Sequence, residues 1–199
     1  MIDLWELENS IYDEGFDYVC GVDEAGRGPL AGPVYAAAVI LPRRLIIEGL
    51  NDSKKLTEKK REELFDKICS SAVSYGIASA SVDEIEKYNI LEASFIAMNR
   101  AIEKLNVVPD IALIDGNRSK GIKIEARAVV KGDGKCADIA AASILAKVSR
   151  DRFMYEMSEK YPEYHFDSHK GYGTKLHYEA LREFGPCEIH RPSFLKKMH

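Results

Sequence analysis

Hydrophobic and polar positions change their period several times along the chain, and each change marks an element of secondary structure. Two β-rich runs, 18–22 and 34–41, flank a glycine-rich stretch, which is typical of an antiparallel hairpin with an elaborate connection. Thr57 stands where it can cap the amino end of an amphipathic helix, and 72–80 follows as another strand. The predicted strands are therefore concentrated early in the chain.

Longer helical patterns dominate the rest of the chain. Ser81 and Glu84 have the spacing of a capping box, and the apolar stripe that follows them is predicted to be a helix facing the core. The elements predicted after it are strands at 110–115 and 122–130, an alanine-rich helix at 136–153 and a last helix at 174–184. This order favours an α/β fold in which a mixed β-sheet is flanked by helices.

Length and composition limit the class of protein. The 199 residues suit one domain, and 46% hydrophobic with 30% charged residues is ordinary for a globular chain. The net charge of −4 argues against binding nucleic acid by bulk charge alone. Any polyanionic partner therefore needs a local basic patch.

Cysteine usage and the N-terminal segment bear on the compartment. The four cysteines are far apart and include no C-x-x-C pair, so free thiols are expected rather than a disulfide or zinc framework. The N-terminus is acidic, and no window approaches the ~18 apolar residues of a membrane span. These features favour a cytoplasmic protein with no membrane partner.

Four acidic residues stand where predicted strands or loops end. Asp23 and Glu24 follow the first strand, Asp115 ends the strand at 110–115, and Asp133 precedes the alanine-rich helix. Acids that end separate buried strands can converge at one sheet edge, where their repulsion requires a cation. Oxygen ligands favour Mg²⁺ or Mn²⁺, although Asp-Gly pairs are also ordinary turn chemistry.

The two adjacent acids pose a geometric difficulty. Neighbouring residues on a regular strand point to opposite faces, so Asp23 and Glu24 are expected to share a site only if the strand ends or bulges there. The glycines that follow them make such an irregularity possible at low cost.

Six segments, taken in order, closely resemble bacterial ribonuclease HII, the type 2 ribonuclease H family. They are GVDEAGRGPLAGPVYAAAVIL at 21–41, NDSKKL at 51–56, LIDG at 113–116, KGDGK at 131–135, AAASILAKVSRDR at 140–152 and HKGYGT at 169–174. The resemblance runs from about residue 17 to residue 194. It implies a ribonuclease-H-like fold with a catalytic core at about 17–160 and a small helical C-terminal part at about 161–199 that contributes to substrate binding.

The resemblance also implies an activity and a set of catalytic residues. The family hydrolyses the RNA strand of RNA–DNA hybrids and incises duplex DNA at single embedded ribonucleotides, which is a step of ribonucleotide excision repair. Its acidic quartet falls on Asp23, Glu24, Asp115 and Asp133. Two cations, Mg²⁺ or Mn²⁺, ~4 Å apart can activate water and stabilise the leaving oxygen, giving 5′-phosphate and 3′-hydroxyl ends.

Two alternatives fit the sequence less well. A non-catalytic module that binds hybrids would need a basic patch but not four converging acids. Ribonuclease HIII carries an additional N-terminal domain, and with so few residues before Asp23 we do not expect one here. We therefore expect a monomeric, metal-dependent endonuclease whose partners are RNA–DNA hybrids and ribonucleotide-containing duplex DNA.

Recognition of a ribonucleotide requires contact with its 2′-hydroxyl. Gly26, Arg27 and Gly28 are expected to make it, because glycines permit close backbone approach, although a tight turn with a solvated arginine is the plain alternative. Tyr172, bracketed by glycines, resembles the family tyrosine at the RNA–DNA junction, where an exposed ring can stack on a sugar or base. A buried tyrosine with a bonded hydroxyl is the alternative there.

Several polar side chains near these segments are candidates for phosphate contacts. They are Ser53, Lys54, Lys55, Lys147, Arg150 and Lys170. His165 and His169 lie four residues apart but lack a matching cysteine or glutamate pattern, so zinc is not expected. Asp138, an extra acid on the alanine-rich helix, is left open between the site and solvent.

Overall fold

The computed structural model describes residues 4–50, 53 and 56–196, and within them the strands form one five-stranded sheet. The strands are β1 (Val19–Ala25), β2 (Val34–Ile40), β3 (Ser74–Ala80), β4 (Ile111–Asp115) and β5 (Ala126–Val129). The helices are α1 (Glu6–Asp13), α2 (Glu58–Ser71), α3 (Val82–Glu103), α4 (Ala137–Lys160), α5 (Phe166–His169), α6 (Lys175–Phe184) and α7 (Pro192–Leu195).

The sheet is mixed, in the order β3-β2-β1-β4-β5. β1 and β2 form the predicted antiparallel hairpin, and β3 continues it antiparallel to β2. β4 lies parallel to β1, and β5 lies parallel to β4. The predicted fold class is confirmed, and β1 and β4 bring their carboxyl ends to the same edge of the sheet.

The fifth strand is shorter than the predicted 122–130. Asn99 of α3 donates its side-chain amide to the carbonyl of Gly121 and accepts the N–H of Lys123, at 2.8 and 2.9 Å. Because these backbone groups are bonded to a helix, they cannot join a ladder, and pairing begins only at Ala126. The alternating pattern was therefore misleading in its first half.

Helices cover both faces of the sheet. α3 packs on one face together with alternate β2 residues such as Ala36 and Ala38, and α4 packs on the other with Ala37 and Val39. A Cβ at Gly21 would lie 2.2 Å from the backbone carbon of Asp138, so β1 accepts α4 only because this position has no side chain. The alanine-rich helix therefore lies directly against the strand that carries the first two acids.

Local signals in the sequence define the starts of three helices. Thr57 accepts the N–H of Lys60 at the start of α2, and Ser81 and Glu84 form the predicted capping box of α3. Thr174 likewise caps α6. The predictions for α2 and α3 are confirmed, because capping depends on residues only three positions apart.

The C-terminal segment packs against the end of α4 and against the glycine-rich connection of the hairpin. Met154 of α4 shares a buried cluster with Leu30, Ala31 and Phe166, and Ala31 forms an isolated β-bridge with His190. This contact brings the residues after 160 next to the loop that follows the first two acids. The four cysteines are free thiols, and no helix in the described ranges is long and apolar enough to cross a membrane.

Candidate active site

The first two acids lie on a regular strand, contrary to the expected end or bulge. Asp23 pairs with Ala37 and Glu24 with Ala36 in an uninterrupted antiparallel register that continues to Ala25. Their side chains therefore point to opposite faces of the sheet. The strand was predicted too short because the carboxylates masked its apolar pattern.

A third acid, from the neighbouring parallel strand, links the two faces. Asp23 lies beside Ser143 of α4, whose hydroxyl acts to lower the pKa of this carboxylate. Glu24 and Asp115 instead line a cavity of about 320 Å³ with α3 residues. The charge of Asp115 acts on both Asp23 and Glu24. The end of β4 thus makes one acidic site from residues on two faces.

Burial and mutual repulsion dominate the electrostatics of this edge. Asp23 is only 4% exposed, and burial raises its pKa, which the charges of Glu24 and Asp115 raise further. Burial also raises the pKa of Glu24, against a hydrogen bond from Arg27 at 3.1 Å that lowers it. Clustered buried carboxylates of this kind fit a hard divalent cation, which supplies positive charge and accepts oxygen ligands.

Asp133 is held next to the same site through the backbone. It is buried in a 3₁₀ turn, Gly132–Gly134, directly before α4. The N–H of Gly132 donates to the Asp115 carboxylate at 2.7 Å, which fixes this turn to the end of β4. In the described ranges no three His, Cys, Asp or Glu side chains stand in a ligating arrangement.

Two buried arginines hold the glycine-rich connection from inside. Arg191 donates to the carbonyls of Gly26, Arg27, Pro29 and Gly32 at 2.7, 3.0, 2.8 and 2.8 Å. Because a trans peptide directs C=O and the next N–H in opposite directions, the N–H groups of Arg27 and Gly28 point away from Arg191. The guanidinium therefore orients two backbone donors of this loop.

The second arginine joins this loop to the tyrosine segment. Arg150 donates to the carbonyls of Ala31 and Pro33 and also to that of Lys170. Tyr172 is 45% exposed, and a Cβ built at Gly28 would lie 3.7 Å from its ring. The exposed ring contradicts the buried alternative, and the segments proposed to contact a ribonucleotide lie side by side.

The structure corrects two of the expected phosphate contacts. Arg150 is 1% exposed and bonded to three carbonyls, and Ser53 is buried with its hydroxyl 2.8 Å from that of Ser143. Both side chains stabilise the protein itself. Lys54 and Lys55 lie outside the described residues.

Two expected phosphate contacts stay predictions. The Lys147 ammonium lies 2.6 Å from the Asp151 carboxylate, with its side chain 23% exposed. Lys170 bonds the carbonyl of Asp167 and stands 4.0 Å over the ring of Tyr155. Lys147 lies on α4 and Lys170 lies two residues before Tyr172, and neither side chain is fully buried.

Asp138, which the sequence left open, does not face the acidic site. It is fully buried at the start of α4, where it accepts the N–H of Leu41 at 2.9 Å and lies close to Glu8 of α1. Burial raises its pKa well above the ordinary range, and the charge of Glu8 adds to this. Sequence reasoning missed Glu8, Ser143 and Arg191, because their roles depend on contacts with distant segments.

Comparison with known proteins gives a consistent result. A family model, Ribonuclease HII, matches residues 20–197. Ribonuclease HII of Caldicellulosiruptor bescii is 55% identical over 194 residues, covering 98% of this chain and 94% of that one. Ribonuclease HII of Clostridioides difficile is 54% identical over 192 residues, covering 96% and 75%.

Solved structures agree in fold. The ribonuclease H2 from Pyrococcus horikoshii OT3 matches with a TM-score of 0.77 and 28% identity, covering 92% of this chain and 97% of that one. Bst-RNase HIII, solved in complex with Mn²⁺, matches with a TM-score of 0.67 over 84% of this chain and 63% of that one. At 19% identity the second likeness concerns the fold alone.

Proposed function

Because the chain belongs to the ribonuclease HII family, and is therefore a metal-dependent nuclease that acts on RNA–DNA hybrids, we propose that it also incises duplex DNA at single embedded ribonucleotides. The observation that carries the proposal is the position of Asp115. Its charge raises the pKa of Asp23 and of Glu24, which lie on opposite faces of β1, and it lines one cavity with Glu24 and with Arg27 of the glycine-rich loop, which supports a single site. Hydrolysis and recognition of the sugar can thus occur at adjacent places.

The residues proposed to hold the cations are Asp23, Glu24, Asp115 and Asp133. Their oxygen-only donor set fits Mg²⁺ or Mn²⁺. Two such ions held by these residues would supply the positive charge that favours attack by water and stabilises the leaving 3′-oxygen, which would give 5′-phosphate and 3′-hydroxyl ends. The contribution of the chain is to hold these acids at the end of the sheet, with Asp23 and Asp133 buried and the N–H of Gly132 donating to the Asp115 carboxylate.

Recognition of the sugar is assigned to the loop and the tyrosine. The N–H groups of Arg27 and Gly28 point away from Arg191, and an N–H can donate to a 2′-oxygen. The missing side chain at Gly28 allows a sugar to approach the backbone closely. The exposed ring of Tyr172 lies beside it and can stack on the sugar or base.

The C-terminal part is proposed to contribute to substrate binding through the same two contacts. Tyr172 lies in the glycine-bracketed segment before α6, and Arg191 supports the loop from the residue before α7. A cytoplasmic location and a monomeric state stay predictions.

The proposal is tested with duplex DNA that contains one ribonucleotide, incubated with and without Mg²⁺ or Mn²⁺. Asp115→Asn removes ligand charge but little volume, so incision should fall by at least about 10²-fold while the melting temperature is kept. Mn²⁺ should raise the melting temperature of the wild type more than that of the variant.

A matched control is available at the other end of the same strand. Asp110 accepts the N–H groups of Asp17 and Tyr18, and Asp110→Asn keeps a carbonyl oxygen for both bonds. This variant should incise like the wild type. Near-normal incision by Asp115→Asn at saturating metal would remove Asp115 from the site, and a wild type inactive on this duplex but active on hybrid would refute the proposed specificity.

A further inference from the structure

Three buried histidines of the C-terminal part contact one another, and none of them belongs to the acidic site. The rings of His169 and His177 stack with their centroids 4.4 Å apart. His177 Nε2 lies 3.0 Å from His190 Nε2. All three rings are buried, so each nitrogen must find a partner inside the protein.

The hydrogen bonds fix where the protons of two of these rings lie. The backbone N–H of Cys187 donates to His190 Nδ1 at 2.9 Å, so the proton of His190 is on Nε2. That Nε2–H donates to His177 Nε2, which leaves the proton of His177 on Nδ1. The Nδ1–H of His177 donates to the carbonyl of Tyr172 at 2.9 Å.

The third ring holds the residue before Tyr172. The N–H of Gly171 donates to His169 Nδ1 at 3.2 Å, so the proton of His169 is on Nε2 and donates to the carbonyl of Tyr164 at 2.9 Å. A second proton on His169 or His177 would place two donors face to face. Burial agrees with neutral rings, because it lowers the pKa of both His177 and His190 to about 4 and also lowers that of His169.

These rings form a chain and do not converge on a metal. His190 Nδ1 faces Cys187, with the thiol 3.1 Å away, whereas Nε2 of the same ring faces His177. A metal ion therefore cannot lie within ligand distance of the Cys187 thiol and also of the Nε2 atoms of His177 and His190.

The backbone at 171–172, where this row of histidines ends, is fixed to the glycine-rich loop. The carbonyl of Gly171 accepts the N–H of Leu30 at 2.8 Å. Gly171 has a φ of +82°, and a Cβ there would lie 2.8 Å from the carbonyl oxygen of Ala31. The backbone at 171–172 is thus held between two histidines on one side and the loop on the other.

We propose that this chain of neutral histidines is a positioning network that sets the Tyr172 ring against the loop at Gly28 and so determines selectivity for a lone ribonucleotide. The inference rests on the proposed role of Tyr172. His169 and His177 act through the backbone of Gly171 and Tyr172 and are positioning residues. At a lone ribonucleotide the ring has one correct register, whereas a continuous hybrid offers many.

The test compares two substitutions at His177. His177→Leu removes the donor to the Tyr172 carbonyl and should lower incision at a lone ribonucleotide about tenfold more than cleavage of a continuous hybrid. His177→Asn places an amide N–H where Nδ1–H stands and should restore most of this selectivity. Equal loss on both substrates, or no difference between leucine and asparagine, would contradict the network.

A control in the same pocket separates positioning from general loss of packing. Phe166 is fully buried with its ring 5.6 Å from that of His177, and it makes no side-chain hydrogen bond to 171–172. Phe166→Leu should lower the melting temperature and leave the ratio of the two activities unchanged. A changed ratio in this variant would assign the effect to packing.

Two further measurements keep the outcomes distinct. If Tyr172→Ala leaves the ratio unchanged, the proposed role of Tyr172 fails; if Tyr172→Ala changes the ratio and His177→Leu does not, only the network fails. Long-range ¹H–¹⁵N NMR spectra of the wild type should show His177 as the Nδ1–H tautomer and His169 and His190 as Nε2–H. Any other assignment overturns the network even if no His177 variant folds.

Discussion

The guanidinium of Arg191 makes four hydrogen bonds to backbone carbonyls of the glycine-rich loop, and its replacement by lysine is the sharpest stability test that the structure offers. The acceptors are Gly26, Arg27, Pro29 and Gly32, at 2.7–3.0 Å. Arg191 is fully buried, and burial lowers its pKa to about 9. A lysine ammonium is a compact charge that cannot span carbonyls bridged by the planar fork.

The magnitude follows from the bonds that lysine loses. We expect Arg191→Lys to lose at least two of the four. Each hydrogen bond to a charged group contributes ~1.5–3 kcal/mol, so the free energy of unfolding should fall by about 3–6 kcal/mol. In a chain of this size 1 kcal/mol corresponds to about 2–4 °C, so the melting temperature should fall by roughly 6–24 °C.

Thermal unfolding followed by circular dichroism measures this change, with Arg127→Lys as the matched control. Arg127 forms an exposed ion pair with Glu14, and exposed pairs contribute little to stability, so its melting temperature should stay that of the wild type. Below its transition, Arg191→Lys should still incise more slowly at a lone ribonucleotide, because the loop amides lose their orientation. A melting temperature within 2 °C of the wild type would refute the reasoning.

Three other expectations concern the substrate and pH. Tyr172→Ala should impair incision at a lone ribonucleotide more than cleavage of a continuous hybrid, and equal losses would contradict contact at the junction. Lys147→Ala should reduce the slope of log affinity against log salt by about one unit, for RNA–DNA hybrid and plain DNA alike. Binding is measured with Ca²⁺ to prevent turnover, and an unchanged slope would exclude a phosphate contact. Burial, and then the charge of Glu8, raise the pKa of Asp138, so the folded protein keeps a proton that the unfolded chain releases above about pH 4. The free energy of unfolding therefore falls as the pH rises from about 4 towards the raised pKa. Asp138→Asn should flatten this fall in urea unfolding between pH 4 and 9, and an unchanged slope would exclude Asp138 as its source.

Local patterns were sufficient wherever an element depends on neighbours in sequence. The hairpin follows from two apolar runs around glycines, and the capping box of α3 from Ser81 and Glu84. The short apolar run at 110–115 likewise places Asp115 at the end of a buried strand. That β4 is the parallel neighbour of β1 depends on the order of the strands in the sheet and could not be read from any single segment.

Contacts between distant segments were not predictable from periodicity. Arg191 bonds a carbonyl 165 positions earlier in the chain, and its local sequence carries no sign of this. Arg150 was expected to reach phosphate because it adds local basicity on the alanine-rich helix. It is buried instead, because α4 is covered at this point by the loop and by the C-terminal segment.

Burial of the two arginines changes what their charge can do. A surface arginine binds any phosphate, and a phosphate contact carries no information about the sugar. Arg150 and Arg191 are buried and bond loop carbonyls, and the bonds of Arg191 to the carbonyls of Gly26 and Arg27 direct the N–H groups of Arg27 and Gly28 away from its guanidinium. A chain with a net charge of −4 can therefore place positive charge beneath a loop that contacts sugar without presenting it to every nucleic acid. On this argument Arg191→Lys should impair selectivity for a ribonucleotide while leaving the salt dependence of duplex binding unchanged, the opposite of what Lys147→Ala should do.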